Sequence, residues 1–108
     1  VTYMSDMFYK TGYNSENFTL DVSNFDTSNV AYMNSMFSST GYNSTKLNTS
    51  ITIKNPNVSN YYSMFNNVAT KSGSKITVNY TSATSSLVDK MIAEKSSDSN
   101  VIKGVQVD

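Results

Sequence analysis

Residues 3–15 read YMSDMFYKTGYNS and residues 32–44 read YMNSMFSSTGYNS. The later segment keeps Tyr, Met, the Met-Phe pair and the whole of Thr-Gly-Tyr-Asn-Ser. Internal repetition at a period of about 20–50 residues marks a chain whose small units cannot bury their own apolar faces and must lie against a like neighbour. The Met-Phe pair sets the register: Met7-Phe8, Met36-Phe37 and Met64-Phe65, with Met91-Ile92 as a degenerate last copy. An apolar residue stands three positions before each Met (Met4, Met33, Tyr61, Val88), and Val1, Val30 and Val58 stand three before that in the first three copies. Positions i, i+3, i+6 and i+7 fall near one stripe of a helix, so each copy is predicted to form a short helix with one apolar face. Asp26-Thr27-Ser28-Asn29 and Asn55-Pro56-Asn57 precede these stripes and supply N-cap side chains.

Downstream of each pair comes an apolar-polar-apolar step: Leu20-Asp21-Val22, Ile51-Thr52-Ile53, Ile76-Thr77-Val78 and Val105-Gln106-Val107. Period-two alternation with β-branched residues predicts short strands with one buried face. Gly12 and Gly41 fall where a left-handed helix end is expected, and the following Tyr-Asn-Ser continues the turn. The predicted fold is an α/β repeat solenoid of about four units, with short parallel β-strands on the concave side, short helices on the other and a C-terminal capping helix. The units run approximately 1–29, 30–57 and 58–80, and the cap 81–108, in a single repeat domain over 1–108. The cap rests on TSATSSLVDKMIAEK, residues 81–95, which puts Leu87, Val88, Met91 and Ile92 on one face and Asp89, Lys90, Glu94 and Lys95 on the other. Ser86 and Asp89 have the spacing of a loose capping box. Val1 enters at the first apolar position of a stripe, so the chain is read as a fragment of a longer protein.

Composition narrows the function. The chain has 19 Ser, 14 Asn and 12 Thr among 108 residues, short polar side chains suited to satisfying backbone groups in stacked turns. Eight Lys, no Arg and eight acids give a net charge of zero, so nothing draws a nucleic acid. No apolar run approaches the roughly 20 residues that cross a bilayer, and no membrane insertion is expected. With neither His nor Cys, the usual ligands of zinc, copper and haem and the usual base of a Ser or Cys nucleophile are missing, and no enzyme activity, metal or cofactor is expected. Asp21, Asn24 and Asp26 are calcium-type donors, but no Gly or closing Glu follows in the EF-hand pattern, and turn capping is the expected use. Asn17, Asn43, Asn48, Asn57 and Asn79 head Asn-x-Ser/Thr sequons, as chance provides in such a composition.

The candidate binding surface is the polar side of the strands. If Leu20 and Val22 point inward, Thr19, Asp21 and Ser23 point outward, and the same alternation exposes Ser50, Thr52 and Lys54, then Lys75, Thr77 and Asn79, and finally Gln106. Adjacent strands present such side chains as a regular grid, which either binds a partner or is merely solvated. Tyr13 and Tyr42 hold matching turn positions and are expected to pack on one another or to offer rings to a ligand, while Tyr9 is expected to be exposed.

The stretch LDVSNFDTSNVAYMNSMF, residues 20–37, resembles the repeat of BspA-like bacterial surface proteins, a group related to leucine-rich repeats. The likeness rests on Leu20-Asp21, on Ser23 through Val30, and on Met33, Met36 and Phe37; it is partial at 1–13 and 51–65 and faint after 75. Tyr13 and Tyr42 stand near where that family often has a Cys. The resemblance implies a leucine-rich-repeat-like fold in a secreted or wall-attached bacterial protein that recognises or adheres without catalysis. The implied partner is a host or bacterial surface protein, with a glycan as the weaker alternative, and a spacer that binds nothing is the competing role.

Overall fold

The β-branched steps at 51–53 and 76–78 lie inside strands. In the computed structural model, which describes residues 2–108, β1 is Asn48–Ile53, β2 is Lys75–Tyr80, α1 is Ser85–Ala93 and β3 is Val101–Gln106. The three strands form one parallel sheet in the order β1-β2-β3. Asn48 pairs with Lys75 and the register holds through Ile53 with Tyr80, so Ile51 faces the same way as Val78 and both are buried. On the other side of β2, Ile76 pairs with Val101, and the register shifts between Val78 and Tyr80.

The segments 4–13, 33–42 and 61–69 do not form helices. Their amides alternate between two kinds of partner. Met7, Tyr9, Thr11 and Tyr13 donate to the carbonyl three residues back, whereas Met4, Asp6, Phe8 and Lys10 donate across to Tyr32, Asn34, Met36 and Ser38. The second copy repeats this, with Met33, Ser35, Phe37 and Ser39 donating to Asn60, Tyr62, Met64 and Asn66. Each copy is thus a run of tight turns whose every second amide reaches the next copy. An α-helix would send all its amides to residue i−4 and leave none for a neighbour.

Left-handed backbone makes the turns possible. Asp6, Lys10 and Gly12 have φ between 58° and 64°, and the same three places recur as Ser35, Ser39 and Gly41, and again as Ser63, Asn67 and Ala69. Such φ values cost roughly 1–2 kcal/mol for a residue with a Cβ, a cost the cross-copy hydrogen bonds and the burial of Met and Phe side chains offset. The Met-Phe pairs of the second and third copies sit inside, with Met33, Met36, Phe37, Met64 and Phe65 all essentially inaccessible, whereas Met7 of the first copy is 41% exposed. Phe37 lies between Phe8 at 5.7 Å and Phe65 at 5.9 Å, centroid to centroid.

The structure corrects the solenoid of four helix-bearing, leucine-rich-repeat-like units. It contains three parallel strands and one helix among the described residues, in a compact body of 35 × 25 × 24 Å. Leu20-Asp21-Val22 forms no strand. Instead the Val22 amide donates to the Thr49 hydroxyl at 3.1 Å, and the buried Thr27 hydroxyl donates to the Thr52 carbonyl while accepting from the Lys54 amide at 3.0 Å. Two threonine side chains therefore fasten this segment along the outer edge of β1, covering groups that would otherwise template further pairing. The last step is also displaced: Val101 is the buried residue of β3, whereas Val105 and Val107, expected to face inward, are exposed. Val1, given the first apolar position, lies outside the described residues.

The helix falls within the segment that the sequence marks, with Val88 and Met91 buried. Its start differs from the expected capping box. The Thr84 hydroxyl donates to the Ile53 carbonyl at 2.7 Å and accepts from the Thr81 amide at 2.8 Å, tying the helix to the end of β1. Short polar side chains recur in this role across copies: the buried Ser44 and Ser74 hydroxyls donate to the Phe18 and Ser44 carbonyls, and the Asn100 side-chain amide to that of Ser74. Among the described residues no buried side-chain nitrogen or oxygen lacks a partner.

Candidate functional site

Because side chains alternate along a strand, the residues between the buried Thr49, Ile51, Ile76 and Val78 share the outer face of the sheet. There they line an open groove of about 660 Å³, shared with the 19–23 segment. Of the residues picked from sequence, Thr19, Asp21, Ser23, Ser50, Lys75, Thr77 and Asn79 line it. Thr52, Lys54 and Gln106 do not. Thr52 is half-buried, and its carbonyl is engaged by Thr27; Lys54 lies just past the end of β1; Gln106 is the last residue of β3.

Lys46 and Asn48 also line the groove and were not picked. Asn48 continues the two-residue alternation backward from Ser50 and Thr52, a signal available once β1 is known to begin at 48 rather than 51.

Several groove side chains already have work within the fold. The Asn79 amide oxygen accepts from the Val105 amide at 2.9 Å, bridging the shift between β2 and β3. A Cβ built on Gly104 would stand 2.0 Å from that same oxygen, so a larger residue there would have to displace the Asn79 side chain from its bond to Val105. Asp21 accepts from the Ser23 hydroxyl at 2.6 Å and from its amide at 2.9 Å. These two bonds, the hydroxyl first, hold the Asp21 carboxyl below its ordinary pKa, and Ser28 does the same for Asp26. Both carboxylates thus stay charged at neutral pH while closing their own turns. Among the described residues no group of three or more His, Cys, Asp or Glu side chains comes together to hold a metal.

The tyrosines form stacks. Tyr13 and Tyr42 lie 5.0 Å apart with their planes 11° from parallel, and Tyr3 and Tyr32 lie 4.5 Å apart. Lys71 sits 4.9 Å from the centroid of Tyr42. One ring face of each of these four tyrosines is thus used on its neighbour, while Tyr3 and the unstacked Tyr62 remain 66% and 71% exposed.

No helix among the described residues is long and apolar enough to cross a membrane. Neither the curated proteins nor the solved structures give a significant match to the chain. A family model described as "Mycoplasma protein of unknown function, DUF285" matches residues 1–103, nearly the whole length. With its Met-Phe segments recurring and bonded copy to copy over that span, the chain belongs to this bacterial family.

Proposed function

We propose that this chain is a non-catalytic recognition or adhesion module of a secreted or wall-attached bacterial protein, with the polar groove on the outer face of the sheet as its contact surface. The observation that carries the reading is the convergence of uncommitted polar groups at one place. Lys46, Ser50, Lys75 and Thr77 line the groove, and among the described residues no hydrogen bond engages their side chains. The mixture of lysines with Asp21 suits a polar protein surface better than a polyanion. The likeness of residues 20–37 to BspA-like repeats supports the same setting. A glycan is the weaker partner, because no aromatic ring lines the groove to stack on a sugar.

The competing role is a spacer that binds nothing. It is favoured by the commitment of Asn79 and Asp21 to the fold and by the lack of an aromatic anchor in the groove. Binding of the labelled protein to bacterial and host cells separates the two. Recognition predicts saturable binding that protease treatment of the cells abolishes, and that a variant carrying Asp21→Ala, Ser50→Arg and Thr77→Arg loses at least tenfold while still unfolding in one cooperative thermal transition. Unsaturable binding, or equal binding by the variant, rejects the groove. Loss on periodate rather than protease treatment would point to a glycan.

A further inference from the structure

Charge is not spread evenly over the groove. Lys46 leads into β1 and Lys75 opens β2, and the Lys75 amide donates to the Leu47 carbonyl at 2.8 Å. That bond sets the two lysines side by side at the end of the groove where both strands begin. Asp21, the acid that lines the groove, stands on the opposite flank: the Val22 amide on the Thr49 hydroxyl places it beside Asn48, with β1 between it and Lys75. Its carboxylate is held by Ser23, and neither lysine pairs with it. The one ion pair among the described residues is Lys103 with Asp89, away from the groove. Two ammonium groups on neighbouring strands repel one another. Since no carboxylate of the described residues neutralises them, that end of the groove keeps a preference for an anion.

The rest of the groove says which anion. The chain has no Arg, so the planar fork that grips phosphate is missing, and Asp21 repels a ligand that is negative throughout. A fitting ligand carries separate carboxylates toward one flank and hydrogen-bonding groups elsewhere. Acidic side chains two residues apart on an extended peptide point to one face, and its backbone can meet Asn48, Ser50 and Thr77, whose side chains have no partner among the described residues. We infer that the groove recognises an extended acidic segment of a partner protein, two of whose carboxylates pair with Lys46 and Lys75. This rests on the groove being the contact surface and adds the chemistry of what it contacts. Lys46 is exposed and Lys75 half-buried, so each pair is individually weak, and binding is steered by charge and weakened by salt.

The probe is the peptide GSESESG, titrated into the isotope-labelled chain and followed by amide shifts in NMR. Its companions are GSQSQSG, GSKSKSG and a glucuronate-bearing oligosaccharide. Two variants of the chain accompany them: Lys46→Glu with Lys75→Glu, and Lys10→Glu with Lys90→Glu, which changes the net charge equally at exposed lysines outside the groove. The expected result is saturable shifts at residues 46–50 and 75–77 with the Glu peptide, at least tenfold weaker binding of the Gln peptide, and weakening by salt. The groove double variant should lose the Glu peptide at least tenfold and gain the Lys peptide, a reversal that an unfolded chain would not show, while the control variant binds as the parent does. No saturable binding of the Glu peptide, equal binding of the Gln peptide, equal loss in the control variant, or tighter binding of the oligosaccharide in the groove would each overturn the inference. In the cell-binding assay, loss with Asp21, Ser50 and Thr77 replaced but not with the two groove lysines reversed overturns it and leaves the groove as the contact surface; loss with neither rejects both.

Discussion

Phe37→Ala is expected to lower the free energy of unfolding by about 3–5 kcal/mol. The residue is fully buried and stacked on both faces, with Phe8 at 5.7 Å and Phe65 at 5.9 Å. Truncation removes its own transfer free energy and its two stacking contacts, and leaves a cavity between rings held by separate copies, which can close only if the backbone bonds of Phe8 to Met36 and Phe37 to Met64 give way. Urea denaturation measures the loss. Domains of this size carry about 5–15 kcal/mol in total, so the variant should be close to unfolding at 37 °C. Tyr62→Ala, at a side chain 71% exposed, is the control and should stay within about 0.5 kcal/mol of the parent. A loss below about 1.5 kcal/mol at Phe37 would mean that the ring stack is not part of the core's packing.

The second large effect is expected at Gly12. Gly12→Ala should cost about 2–4 kcal/mol, combining left-handed strain with overpacking. Strain alone is not enough to predict that figure, because Ala69 holds φ 53° at the corresponding place in the third copy. What differs is the neighbour. A Cβ on Gly12 would stand 2.2 Å from the Phe18 ring, and one on Gly41 would stand 2.8 Å from the other side of the same ring. Phe18 fills the space between the two glycines, so their retention in the first two copies follows from one side chain that the third copy lacks. The double variant with Phe18→Ala should recover part of the loss, and a denaturation cycle over the four proteins reads the coupling. Additive losses would assign the glycine to backbone conformation alone.

These two sites show how much could be read in advance. The glycines were visible as left-handed positions, but the reason for them was not, since Phe18 reaches both from outside the motif. The apolar spacing of Met4, Met7 and Phe8 suits a helical stripe and a run of turns equally well, because both bring residues three and four apart to one side. The difference lies at Asp6, Lys10, Ser35, Ser39, Ser63 and Asn67, where ordinary polar residues adopt left-handed backbone. Single-residue propensity gives little warning of it: Lys and Ser are not residues that ask for such φ. The cross-copy amide bonds decide the matter, and they are long-range. The β-branched steps at 51–53 and 76–78 were legible as strands because their burial and their pairing agree. Leu20-Asp21-Val22 has the same pattern, but its Val22 amide meets the Thr49 hydroxyl in place of a backbone partner. Its alternation survives in the buried Val22 and the exposed Asp21, while its pairing does not.

The groove was legible for the same reason as the strands. Alternation places Ser50, Lys75 and Thr77 outward whatever the opposite face packs against. Asn79 lines the groove as the alternation places it, but its bond to Val105 was not legible, since the register shift behind it arises between β2 and β3 and leaves no trace in either segment alone.

Scalar couplings across hydrogen bonds, measured by NMR on the isotope-labelled chain, test the bonding pattern most directly. Cross-copy winding predicts couplings from the Phe8 amide nitrogen to the Met36 carbonyl carbon and from Phe37 to Met64, 3.0 Å bonds in each case. Couplings from Phe8 to Met4 and from Phe37 to Met33, as in a continuous helix, would contradict it.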